Sequence, residues 1–122
     1  MRPREPLVSD RIVLTIQADE PFRGVATLVL GGVGTRLDLP YERMDDLQLA
    51  VLSALAATDG DEVSLEVDAG ENELVLAIGP LRSGTSGDDG LTRVLAPLVD
   101  DVDYESRSGS EWLTLRLAST TT

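Results

Sequence analysis

DDLQLAVLSALAATDG, Asp45 to Gly60, reads as one long helix and its stop, and that helix organises everything around it. Asp45 with Gln48 three residues on has the form of a capping box, in which side chains satisfy free amides of the first turn. Leu47, Ala50, Val51, Ala54, Leu55 and Thr58 recur at helical spacing until Asp59-Gly60 ends the run. The other face carries Leu49, Leu52 and Ala56, with Gln48 and Ser53 the only polar side chains inside. The helix is therefore expected to be buried nearly all round and to sit at the centre of the fold.

Downstream, Val63, Leu65 and Val67 alternate with polar residues, a turn falls at Ala69 to Asn72, and Leu74, Leu76 and Ile78 alternate again. This predicts a hairpin with one wet face, ended by Gly79-Pro80. SGTSGDDG, Ser83 to Gly90, is a polar, glycine-rich loop. Leu91, Val94, Leu95 and Leu98 mark a further helix that Pro97 should kink or shorten. Val102 and Tyr104 open a strand, Ser108-Gly109 turns it, and Leu113, Leu115 and Leu117 line one face of the last strand with Trp112 on the other.

Upstream, Ile12, Leu14 and Ile16 alternate in a first strand. Residues 22–36 admit a helix, with Phe22, Val25, Ala26, Val29 and Val33 on one face, or a hairpin turning at Gly31-Gly32. The start signal at Asp19, Glu20 and Pro21 favours the helix. The resulting order β, α, α, β, β, α, β, β predicts an α/β (α+β) two-layer sandwich, with a mixed, mostly antiparallel sheet of about five strands and about three helices on one face. Residues 11–117 form the single domain, residues 1–10 a flexible N-terminal segment and residues 118–122 a flexible tail.

Composition removes whole classes of chemistry. The 122 residues are 42% hydrophobic, which supports a packed core, but only 3% aromatic, so Leu, Val, Ile and Ala must fill it. The 22 acidic residues outnumber the 10 basic ones for a net charge of −12, which disfavours nucleic acid as a partner. Every basic residue is Arg, and with no Lys, His or Cys there is no Schiff-base amine, imidazole base, thiolate nucleophile or thiolate zinc site. No apolar run is long enough for a membrane span and the N-terminus lacks a signal-peptide core, so a cytoplasmic protein is expected.

Two segments carry a family resemblance. DDLQLAVLSALAA, Asp45 to Ala57, resembles the long helix of the GHKL (Bergerat-fold, histidine-kinase-like) ATPases, and among them the bacterial anti-sigma regulatory factor or serine-protein kinase family, written D-D-x-x-L-A-V-S-E-A-x-x-N-A. GLTRVLAPLVDDVDYE, Gly90 to Glu105, is similar to that family's G-L-G-L-x-L-I-x-x-L-x-D helix and following strand. The resemblance implies a protein that phosphorylates small anti-anti-sigma proteins with ATP and Mg, or that holds a sigma factor inactive by binding it, with a homodimer as the implied assembly.

The family's acid and Asn, four residues apart on the long helix, are replaced here by Ser53 and Ala57. Ser53 has no group to activate it, and Ala57 has no oxygen to offer a hard cation. The family's adenine-reading Asp is missing from Leu74 to Gly87, where the matching places are Ile78, Gly79, Pro80, Arg82 and Gly84. Gly90 keeps one phosphate-cradling glycine, Thr92 replaces the next, and Asp88-Asp89 would oppose a polyanion. Three departures agree on a degenerate ATP site.

The remaining features have ordinary explanations beside the functional ones. Ser53 suits a small packing residue; Asp45-Asp46, Asp88-Asp89 and Asp100-Asp101 suit capping and solvation better than metal binding. The Ser83–Gly90 loop is a surface connection or the remnant of an ATP lid, and Trp112 is either a partner anchor or packed beneath a helix. The expectation is a non-catalytic anti-sigma-like regulator that binds a sigma factor or anti-anti-sigma protein, with no cofactor and no metal. Its rivals are an active serine-protein kinase of the family, in which Asp45, Asp46 or Asp59 would supply the missing groups, and an unrelated α/β structural or assembly domain.

Overall fold

Alternating apolar residues give each strand one face for the core, and antiparallel pairing lines those faces up. The computed structural model describes residues 10–17, 24, 27–32, 40–58, 62–70 and 73–118. Its strands are β1 (Asp10–Gln17), β2 (Glu62–Ala69), β3 (Glu73–Leu81), β4 (Asp101–Arg107) and β5 (Ser110–Ala118). They form one sheet of order β1-β2-β3-β5-β4. Leu14 stands opposite Leu65, Leu65 opposite Ile78, Ile78 opposite Leu113 and Leu113 opposite Tyr104, so one continuous row crosses the sheet.

Among the described residues every strand pairing is antiparallel, so the expected mixed sheet is corrected. The crossover after β3 carries the chain to the sheet edge, and β5 returns between β4 and β3. Strands β3 and β4, which run in the same direction, are thereby kept from pairing. Strand β3 also runs on past Gly79-Pro80, expected as its end, and re-pairs Leu81 with Glu111 after an irregularity. Pro80 has no N–H for the ladder, which accounts for the break in register. Asp10 and Ala118 belong to the outer ends of β1 and β5; the other residues of the expected flexible ends lie outside the described residues.

The first helix, α1, comprises helical residue 24 and residues 27–32, which favours helix over hairpin in that region. Its buried residue is Leu30, whereas Val29 of the expected face is half-buried; Phe22, Val25, Ala26 and Val33 lie outside the described residues. Helix α2 spans Tyr41–Leu55, and α3 spans Asp89–Leu95. Helix α2 starts a turn before the expected capping box, because Pro40 sets the entry and Met44 N donates to Pro40 O at 3.0 Å. Asp45 is therefore inside the helix, not its cap. Helix α3 stops two residues before Pro97, shortened as its sequence requires.

The sheet packs Val63, Leu65, Leu76, Ile78, Leu113 and Leu115 against Leu47, Ala50, Val51 and Ala54 of α2 and Leu95 of α3. Helix α2 is not buried all round: Leu49, Leu52 and Ala56 face outward and are exposed. A two-layer sandwich gives its helices only the sheet to cover, so one side of α2 stays uncovered. Among the described residues no helix is long and apolar enough to cross a membrane.

The sheet's far face carries a polar ladder. Glu66 accepts from Arg11 at 3.1 Å and Arg107 at 3.0 Å, and Arg107 also reaches Glu105 at 2.7 Å. Trp112 lies on this face, neither a free anchor nor beneath a helix. Its ring sits so close to Gly79 that a Cβ there would come within 2.5 Å, and the Arg107 guanidinium lies 4.3 Å from the ring centre.

Candidate functional site

The C-terminal end of α2, the chain after β3 and the start of α3 enclose a groove of about 530 Å³. Helix α2 contributes Ser53, Ala56 and Ala57; the connection contributes Arg82, Ser83, Gly84 and Thr85; α3 and its cap contribute Asp88, Gly90, Leu91 and Val94. The joint between the walls is hydrogen-bonded. Arg82 N donates to Ala57 O and Arg82 Nη1 to Ala56 O, both at 2.9 Å, so Arg82 satisfies carbonyls left free at the helix end. Its charge also suits the negative end of the helix dipole.

The Ser83–Gly90 connection, expected to lack regular structure, contains a 3-10 turn at Thr85–Gly87. Gly84 takes φ +90°, a conformation that favours glycine, and turns its N–H toward β5. Glu111 of β5 accepts from Gly84 N at 2.6 Å and Ser86 N at 2.8 Å. These backbone donors, that of Ser86 first, hold the Glu111 carboxyl below the usual range. The groove's outer wall is thus fastened to the sheet by one carboxylate.

Ser53, Ala57 and Gly90 do come together in this groove. Thr92 does not line it: its hydroxyl is 2.8 Å from the Tyr104 hydroxyl, on the side of α3 toward the sheet. Of the places matched to an adenine-reading acid, Arg82 and Gly84 line the groove, while Ile78 is in the core and Gly79 lies beneath Trp112. Asp88 caps α3 by accepting from Gly90 N at 2.9 Å, which commits the one carboxylate in the lining. Asp45 and Asp46 stand two turns or more before Ser53 and do not line the groove; Asp59 lies outside the described residues. Asp100 is engaged too, by Arg43 at 2.9 Å and by Ala118 N at 2.6 Å.

The groove can therefore offer hydrogen bonds from Ser53 and Ser83, a guanidinium at one end and an apolar wall, while the Thr85 hydroxyl already donates to Arg82 O. It has no carboxylate and amide pair on α2 to position a hydroxyl and a cation. Among the described residues no three His, Cys, Asp or Glu side chains converge as metal ligands. Sequence reasoning gave Glu111 no role, since it acts across 25 and 27 residues on the backbone, where no local spacing marks it. No family model and no curated protein sequence matches the chain.

Proposed function

We propose that this protein is a non-catalytic regulatory module of the anti-sigma kind, cytoplasmic, which acts by binding a sigma factor or an anti-anti-sigma protein. The observation that carries the reading is the α2 wall of the groove, where Ser53 and Ala57 stand side by side with no acid or amide from that helix in the lining, and the one lining carboxylate, Asp88, is engaged as the cap of α3. Phosphoryl transfer depends on positioning and charge stabilisation, and these side chains supply neither a base for the hydroxyl nor an oxygen for Mg²⁺. Titration calorimetry with ATP or ADP plus Mg²⁺, extended to millimolar nucleotide, tests it. The expected result is no saturable heat from a folded protein; saturable micromolar binding overturns the reading.

A second reading, an ATP- and Mg-dependent serine-protein kinase, draws support from the size of the groove, which falls within the range of small-molecule sites. Arg82 would meet a phosphate there. Of the residues in the lining only Asp88 could serve that reading, and it would have to leave its cap on α3, so the Asp88→Asn variant tests it. A kinase that uses Asp88 loses transfer in this variant; a binding module retains its partner.

A further inference from the structure

The groove is not the only open surface on the helix layer. Tyr41, Asp45, Leu49, Leu52 and Ala56 succeed one another at spacings of three and four, so they form one stripe along α2, about 22 Å long at 1.5 Å per residue. The exposed fractions are 90% at Tyr41, 53% at Leu49 and 36% at Leu52, with Val94 of α3 at 49% across the groove from Ala56. We propose that this face is the docking surface for a basic amphipathic helix of the partner protein, a proposal that rests on the binding-module reading above.

Shape and charge select that occupant. A straight apolar stripe bordered by a shallow groove accepts a helix through anchors at i, i+3 or i+4, and i+7. The N-terminal half of the stripe contains Asp45 and is flanked by Glu42 and Asp46, and none of the three forms an ion pair among the described residues. Among the described residues, the nearby cations are otherwise placed: Arg43 is bound to Asp100, Arg82 lies on Ala56 O at the far end, and Arg93 is on the exposed side of α3. Basic side chains of the partner meet the acids, and its apolar side chains meet Leu49, Leu52 and Val94. A second copy fits less well, since it brings the same acids and a net charge of −12 to the same face.

The probe is a fluorescein-labelled helical peptide of about 18 residues, with Leu at anchor spacing and Arg on its flanks, titrated against the full chain by anisotropy and amide NMR. The expected result is saturable binding with shifts confined to α2 and α3. Leu49→Ser with Leu52→Ser weakens it roughly tenfold or more. Asp45→Asn with Asp46→Asn, or salt that cuts the Debye length from roughly 10 Å to 3 Å, weakens it several-fold. Circular dichroism and an unchanged melting midpoint show that the serine variant is folded. Absence of binding, or equal binding by that variant, overturns the docking surface. So does a concentration-dependent dimer that Leu49→Ser with Leu52→Ser dissociates, which would assign the face to a second copy. These outcomes leave the module reading standing, because that reading fails separately, by saturable nucleotide binding.

Discussion

Leu47 and Leu49 are two residues apart on one helix, yet Leu47 is completely buried and Leu49 is more than half exposed. The side of α2 that holds Leu47, Ala50, Val51 and Ala54 packs on the sheet, and the side that holds Leu49, Leu52 and Ala56 is exposed. Both sides have the same kind of residue. The difference teaches that apolar content nominates a helix for burial, whereas the number of layers decides how many of its faces are buried. Apolar surface left over by that count is where a partner is to be sought.

The widest test of this contrast is a pair of truncations. Leu47→Ala should cost about 2–5 kcal/mol, and Leu49→Ala should stay within about 0.5 kcal/mol, read as the shift in urea unfolding. Equal losses would break the contrast by showing a hidden third layer. Next, Gly79→Ala should cost about 1–3 kcal/mol and move the Trp112 emission, because the new methyl must displace the indole. That result would sharpen the picture by revealing one tightly packed point on the face of the sheet away from the helices. Smaller again, Arg107→Ala should cost about 1 kcal/mol or less, since its partly exposed partners are screened by water, and a double-mutant cycle with Glu66→Gln isolates the pair.

Acid gives the most local change. Glu105 is held below the usual carboxylate range by hydrogen bonds from Arg107 and then Thr114, and Glu111 by the backbone of Ser86 and Gly84. A lowered folded-state pKa contributes stability that is complete above the unfolded value, about 4.3, and lost as the pH falls through the lower folded value. Protection of the Gly84 and Ser86 amides, taken as exchange relative to the intrinsic rate at each pH, should therefore fall as the pH drops below the unfolded carboxylate value, and already at neutral pH in Glu111→Ala. Unaltered exchange in that variant would mean that Glu111 does not fasten the groove wall.

Several elements are legible locally. Ile12 and Leu14, Val63 to Val67, Leu74 to Ile78 and Leu113 to Leu117 alternate at period two, and each run became a strand with that face inward. Pro97 shortened α3, and Ser108-Gly109 turned β4 into β5 with both residues at positive φ. The start of α2 misled because Asp45 and Gln48 have capping-box form inside a helix that Pro40 had already begun. For the site, Ser53, Ala57 and Gly90 are matched through the family resemblance and not by spacing, and α2 and α3 bring the three to one groove. Thr92, matched to the same motif, does not line the groove; its hydroxyl is 2.8 Å from that of Tyr104.

The sequence by itself determined the α+β order, the apolar row of each strand, and a chain without imidazole, thiol or amine for catalysis, since these follow from residue type and period. Only the tertiary structure decided that all strands pair antiparallel, that one side of α2 remains open, and that Glu111 fastens the groove wall. Each depends on which distant segments meet, and pairing across tens of residues leaves no periodic trace in the segments themselves.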